Sequence, residues 1–308
     1  MSLPKLGFIG IGRMGMPMAR RLIQAGYSVV AFDPNEEAVK SLAEQGATGA
    51  ANPAEVATNS DVILLSLPTP EIVDAVAFGE KGIVYGADSD SKKTVIDLST
   101  TGPEGAKALA EGLLRKGIKS IDCPVSGGIG GAEKGTLALM ASGDRLVVES
   151  VSDILQVLGN SFLVGPEPGM GQMIKVINNL VSVTALAITS EALVLGTKAG
   201  LNPDVMVDVF NAGSGQSNAS LTKIPKFVLT RSFDFGFALD LSVKDARLCL
   251  EQSEALGVPM VVGSAVREML KITKAKLGPQ ADMTSIIQPI EEWAGVTVRG
   301  ANAKPENN

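Results

Sequence analysis

The stretch LGFIGIGRMG, residues 6–15, constrains this chain more than any other. A short aliphatic run ends at Gly10, and Gly12 and Gly15 follow in Gly-x-Gly-x-x-Gly spacing before a segment of helical periodicity. A strand that passes into a helix through three spaced glycines has few architectures open to it. Gly10 permits the tight turn and Gly15 lets helix and strand pack closely. Gly12 leaves the backbone bare where a pyrophosphate can approach, with Arg13 and Met14 in the same turn. The N-terminus of the following helix supplies N–H groups and the positive end of a dipole to phosphates. The alternative is a tight turn that binds nothing.

The next residues repeat the theme. Segments 5–9, 28–32, 61–67, 94–98 and 119–122 are short, aliphatic and bounded by Gly, Pro or Asp, as buried parallel strands are. Segments 14–25, 35–44, 53–58, 71–77 and 103–116 read as helices between them, and 136–142 and 161–164 as further strands. Strand and helix in alternation predict an α/β, Rossmann-like, doubly wound parallel sheet over residues 1–165. Asp33 closes the second strand 23 positions after Gly10, close to the spacing of an acid that binds the adenosine ribose. Pro34, Asn35, Glu36 and Glu37 follow, with no arginine for a 2′-phosphate, so the spacing favours NAD over NADP. The alternative for Asp33 is a helix cap.

From about residue 166 the strand signal stops. Segments 168–198, 203–211, 218–229, 240–256, 259–276 and 282–294 read as helices, with Pro203 and Pro259 suited to helix starts and Gly200 and Gly257 to helix ends. This predicts an all-α domain over 166–298, joined to the first by the long helix and followed by a polar, frayed tail, 299–308. The long helix is apolar on nearly every side, which predicts burial, in part by a second subunit in a homodimer or homotetramer. Its apolar run, 176–188, carries Asn178, Asn179, Ser182 and Thr184, too short and too polar for a membrane span.

Composition removes whole classes of chemistry. The chain of 308 residues has no histidine. A histidine acid/base or a histidine zinc site is therefore excluded, and proton transfer falls to Lys, Asp, Glu, Tyr, Cys or water. A net charge of −6 gives no general attraction to nucleic acid or anionic membranes. Cys123 and Cys249 stand far apart and outside metal-type spacing, which suggests free thiols and a cytoplasmic setting. The N-terminal run, MSLPKLGFIGIG, lacks the anatomy of a signal peptide.

Against this background Lys175 stands out. Between Glu167 and Glu191 it is the one charged residue, and Asn179 lies one helical turn beyond it with Asn178 beside. A lysine shielded from water gives up its proton more readily, which suits acid/base work near neutral pH. The alternative is a side chain that snorkels to the surface. In DCPVSGGIGGAEKGTL, Ser126, Gly127 and Gly128 form a glycine-rich loop at a strand's carboxyl end, able to hold a small carboxylate or to be a bare turn. LSVKD places Lys244 and Asp245 at a helix start, as a functional pair or a solvated turn.

Taken in order, GFIGIGRMGMPMA, DCPVSGG with GAEKGTL, GMGQMIKVINN and LSVKD resemble the signatures of the β-hydroxyacid dehydrogenases. That family includes 3-hydroxyisobutyrate dehydrogenase, tartronate semialdehyde reductase and the cofactor domain of 6-phosphogluconate dehydrogenase. The resemblance covers roughly residues 5–295. It implies that Lys175 is the catalytic acid/base and acts with Asn179. It implies that Ser126, Gly127, Gly128 and Asn179 hold the substrate's carboxylate and hydroxyl. Lys244 then lies near the cofactor, and Pro68, Thr69 and Thr100 border the nicotinamide or its ribose. The reaction implied links a small 3-hydroxy carboxylate, of the 3-hydroxyisobutyrate or glycerate type, to its semialdehyde through NAD. An imine reductase on the same fold and a non-catalytic dinucleotide sensor are the competing readings; relatives of both kinds tend to lack the lysine. One position departs from the pattern: Asn218 and Ala219 stand where a tryptophan is expected, and Phe233, Phe235 and Phe237 follow in a loop suited to lining a pocket.

Overall fold

Alternating side chains in the first aliphatic runs point to opposite faces, and both faces are filled. In the computed structural model, which describes residues 3–87 and 92–303, Leu6 and Phe8 of the first strand join one core and Ile9 the other. Val62 and Leu64 divide from Ile63 and Leu65 in the same way. That is the signature of a sheet covered by helices on both sides. The strands are β1 (Leu6–Ile9), β2 (Val29–Phe32), β3 (Thr48–Gly49), β4 (Val62–Leu65), β5 (Thr94–Asp97), β6 (Lys119–Asp122), β7 (Val125–Ser126), β8 (Leu137–Ser142) and β9 (Gly159–Gly165). Their order is β3-β2-β1-β4-β5-β6-β8-β7, with β9 also paired to β8. The six strands from β3 to β6 are parallel. Helices α1 (Gly15–Gln24), α2 (Glu36–Ala43), α3 (Pro53–Thr58), α4 (Pro70–Phe78) and α5 (Gly102–Leu114) lie between them in sequence.

The far edge is not parallel as the sequence suggests. β8 runs antiparallel to β6 and β7. β7 and β8 are joined by α6 (Gly128–Lys134), too short a link for a parallel crossover. β9 then returns parallel to β8 through α7 (Arg145–Ser150) and α8 (Ser152–Leu158). The glycine-rich stretch after Ser126 is thus a helix rather than an open loop.

Contacts divide the chain into two compact units, Met1–Lys175 and Val176–Asn308. The division falls inside α9 (Met170–Lys198). The second unit continues with α10 (Pro203–Ala212), a π-helical segment (Ala219–Val228), α11 (Leu239–Ala255), α12 (Val261–Leu277), a 3₁₀ turn (Met283–Ile286) and α13 (Ile287–Ala294). The π register surrounds Pro225, which has no N–H to give a regular helix. Leu180, Val183, Leu186 and Val194 of α9 are buried in this unit's core. At 29 residues the helix has the length and composition of a membrane span, contrary to the expectation from its central run, but half of its most apolar window is buried as a core helix is. Ile174, Ile177, Val181, Ile188 and Leu195 leave an exposed apolar stripe. The tail is fastened where it is described: the Gly300 N–H donates to the Leu229 carbonyl and the Ala301 N–H to Asp204 at 2.8 Å. Residues 304–308 lie outside the described residues.

Candidate active site

The three glycines of the first turn are required for three different reasons. Gly10 has φ +94°, and a Cβ there would sit 2.3 Å from the Ser66 carbonyl oxygen. A Cβ on Gly15 would sit 1.9 Å from the Gly10 carbonyl oxygen. A Cβ on Gly12 would meet nothing within 4 Å. The fold therefore needs Gly10 and Gly15, whereas Gly12 keeps clear a space the protein itself does not use. The helix behind the turn is also distinctive. Asn35, Asn52 and Thr69 cap α2, α3 and α4 with side-chain oxygens, and each helix has an acid in its first turn. The N-terminus of α1 has neither, so its N–H groups suit a phosphate. The turn thus fits a dinucleotide.

Asp33 is not the cap of α2; Asn35 is. The Asp33 carboxylate accepts from the Ile11 N–H at 2.7 Å and the Asn35 N–H at 2.8 Å, which ties the glycine turn to the end of β2. Pro68 is exposed beside Thr69 at the head of α4, and Thr100 is half-buried after β5. Ser126 ends β7, and Gly127 and Gly128 lead into α6 with φ +136° and +66°.

A buried polar cluster at the carboxyl ends of β5, β6 and β8 fixes the first turn of α9. Asp122 accepts from the Gly169 N–H at 2.9 Å, the Gln172 N–H at 3.0 Å and the Ser142 hydroxyl at 2.7 Å. The Ser142 oxygen accepts from the Gly171 N–H. Gln172 reaches the other way. Its Oε1 accepts from the Thr101 and Gly102 N–H groups, and its Nε2 donates to the Ser99 carbonyl. Gln172 thereby caps α5, while Asp122 and Ser142 cap α9. Asp97 accepts from the Ser99 N–H and the Thr101 hydroxyl just beneath. Lys175 follows one turn after this clamp and is buried, 8% exposed, which rules out a snorkelling side chain.

Burial raises the carboxyl groups of both Asp97 and Asp122, with hydrogen bonds opposing the shift in each case; Asp97 is pushed up to about 6. An unfolded aspartate ionises at about 4. The native state thus holds a proton between about pH 4 and 6 that the unfolded chain has lost. The stability from protonated Asp97 is full below that window and is lost as pH rises through it, on the order of 3 kcal/mol. Asp97→Asn keeps an acceptor for Ser99 and gives a donor to Thr101. Calorimetric melts of the variant are expected to be higher than wild type at pH 8 and to lose much of the decline between pH 4 and 6. A lower melt at pH 8 would show that the charge itself is needed.

In the second unit two motifs come together. Asn179 Nδ2 donates to Asp245 Oδ2 at 2.6 Å, and Asn178 Nδ2 donates to Asn179 Oδ1 at 3.4 Å. Lys244 Nζ lies 3.4 Å from Asp245 Oδ1. This pair lies in the second turn of α11 and is largely buried, so it is not a solvated turn. Phe233, Phe235 and Phe237 pack on this unit's core. Sequence reasoning did not single out Asp97, Asp122, Ser142, Gln172 or the contact of Asp245 with Asn179.

A doubly wound sheet with this glycine turn, followed by a helical unit, defines a dinucleotide-dependent oxidoreductase. Residues 5–165 match the family model for the NAD-binding domain of 6-phosphogluconate dehydrogenase. Residues 169–290 match the model described as NAD-binding of NADP-dependent 3-hydroxyisobutyrate dehydrogenase. The chain is 36% identical to 2-(hydroxymethyl)glutarate dehydrogenase of Eubacterium barkeri, over 96% of this chain and 98% of the relative. It is equally similar, with the same coverage, to 3-sulfolactaldehyde reductase of Escherichia coli. A solved Mycobacterium tuberculosis 3-hydroxyisobutyrate dehydrogenase superposes with a TM-score of 0.85 at 28% identity, over 94% of this chain and 99% of that one. The chain belongs to the β-hydroxyacid dehydrogenase family.

Proposed function

We propose that the protein interconverts a small 3-hydroxy carboxylate, of the 3-hydroxyisobutyrate or glycerate type, and its semialdehyde, using NAD and Lys175 as general acid/base. One observation carries this reading: a buried lysine, one turn after a clamped helix start, shares a helix face with Asn179, whose amide is held by Asp245. The nicotinamide supplies the hydride chemistry when bound. Gly10, Gly12, Arg13, Met14 and Gly15 with α1 would hold the pyrophosphate, Asp33 the adenosine ribose, and Pro68, Thr69, Thr100 and Lys244 would border the nicotinamide end. Glu36 and Glu37 in the first turn of α2 add negative charge beyond Asp33, which favours NAD over its 2′-phosphorylated form. Ser126, Gly127 and Gly128 would orient the substrate carboxylate and Asn179 its hydroxyl. In oxidation Lys175 takes the hydroxyl proton. In reduction its ammonium stabilises the growing negative charge on oxygen and then protonates it. The substrates named for the two enzymes at 36% identity fit this scheme: each has a terminal alcohol or aldehyde and a nearby acid.

The test is a panel of 3-hydroxy acids and semialdehydes, with NAD and NADP side by side, read at the absorbance of reduced nicotinamide. Turnover of at least one 3-hydroxy acid with NAD preferred is expected. Cyclic imines reduced without any action on aldehydes would overturn the reading, as would tight NADH binding with no turnover.

The protein works as a homo-oligomer in this reading, the exposed stripe of α9 being covered by a second copy. Val181 is 65% and Leu195 73% exposed in the single chain. Light scattering is expected to give a dimer or tetramer, and a combined Val181→Glu and Leu195→Glu variant a smaller species. A wild-type monomer at micromolar concentration would reject it. The free, buried Cys123 and Cys249 accord with a reducing cytoplasm.

A further inference from the structure

Lys223 is used by none of the chemistry above, yet it is 3% exposed. Its Nζ donates to Ser182 Oγ at 2.8 Å and to Asn218 Oδ1 at 2.9 Å, and it lies 5.3 Å from the centre of the Phe235 ring. Among the described residues it has no carboxylate partner. A buried ammonium held by neutral oxygens is costly, and ordinarily a counterion accompanies it. Burial accordingly lowers its titration to about 8.

The donors around it are more telling. An ammonium has three N–H groups, a hydroxyl one proton and a primary amide two. Lys223 uses two of its three. The proton of Ser182 and the Nδ2 group of Asn218 have no acceptor among the described residues. Three donor-bearing groups therefore converge on one place with no anion supplied by the described residues. Asn218 is exposed and accepts from the buried amine, so the cluster extends to the surface. It also lies on a telling line. Ser182 follows Asn179 by three residues and Lys175 by seven, the spacing of one helical stripe, about 10 Å along the axis at 1.5 Å per residue.

We propose that Lys223, Ser182 and Asn218 form a subsite for a second anionic group of the substrate, a carboxylate distinct from the one held at Ser126–Gly128. The preferred substrate is then a dianionic 3-hydroxy acid. This inference rests on the dehydrogenase reading for the identity of the substrate, but the subsite itself stands on contacts within the second unit.

The experiment compares 2-(hydroxymethyl)glutarate with 2-(hydroxymethyl)pentanoate, the same skeleton with a methyl group in place of the second carboxylate. Wild-type kcat/KM is expected to favour the dianion by about 100-fold, the scale of a desolvated charge pair. Lys223→Met should bring that ratio to about 1, and Asn218→Leu, an exposed change, should lower it about tenfold. A mainly structural role for Lys223 would depress both substrates alike and leave the ratio unmoved, which overturns the proposal. So would a wild-type ratio near 1 or below. Should Lys223→Met fail to fold, Asn218→Leu decides alone: an unchanged ratio overturns the subsite. If wild type oxidises neither compound or any other 3-hydroxy acid, the dehydrogenase reading fails instead. Calorimetric titration of the NADH-loaded protein with glutarate then judges the subsite, and binding that is absent or indifferent to Asn218→Leu overturns it.

Discussion

Lys175→Met is expected to lower kcat by about 10³-fold or more while the dissociation constant for NADH stays within about threefold. The size follows from two losses. Removing a positioned acid/base costs about 10²–10⁴ in rate. Removing a cation from the place where an oxyanion forms costs a similar factor. The two overlap in one group, so they do not multiply fully. Methionine nearly matches the length and apolar volume of the lysine stem, and Lys175 is buried, so the helix has no reason to move. Single-turnover rates with NADH and a semialdehyde, set beside fluorescence titration of the nucleotide, separate chemistry from binding. A variant that retains a tenth of wild-type turnover removes Lys175 from the proton path.

The glycine turn gives the second large effect, and two of its residues must part company. At Gly15 an added methyl meets the Gly10 carbonyl oxygen at 1.9 Å. That oxygen belongs to backbone and cannot swing aside, so Gly15→Ala is expected to destabilise the protein without any ligand, by roughly 3 kcal/mol or more. At Gly12 the same methyl meets no protein atom within 4 Å. Gly12→Val is expected to melt like wild type when nucleotide-free and to weaken NADH binding by about 100-fold or more, because the branch fills the approach to the helix N-terminus. Melting curves with and without NADH read both effects. Equal melting shifts for the two variants without nucleotide would deny that Gly12 serves a ligand.

These two cases also show what the sequence carries openly. The glycine turn was legible because its demands are local: three positions, fixed spacing and a strand before a helix. The burial of Lys175 was legible through its surroundings, since a lone charge in the apolar run between Glu167 and Glu191 is expected on a shielded helix. The far edge of the sheet was not. GIGGAEK has three glycines in seven residues and reads as a loop, yet it forms α6, whose ends are tied to strands of opposite direction. Asp122 looks like a strand terminus, and its bonds to Gly169 and Gln172 span 47 and 50 residues. Nothing in a local window announces them. Lys223 and Lys226 sit three apart in similar company, one buried and the other exposed. The difference comes from the π register around Pro225, which periodicity at 3.6 residues does not foresee.

The clamp formed by Asp122, Ser142 and Gln172 has a consequence for how such a chain can diverge. Each residue turns a helix by about 100°, so anchoring Gly169, Gly171 and Gln172 dictates which way position 175 faces, whatever follows it. Downstream positions such as Ser182 are then at liberty to change. New substrates can be tried by altering the far part of the helix and its neighbours, while the amine keeps its bearing. On the proposed function, the orientation of the proton donor and the choice of molecule it serves are thus written in different stretches of the chain, and one can be edited without erasing the other.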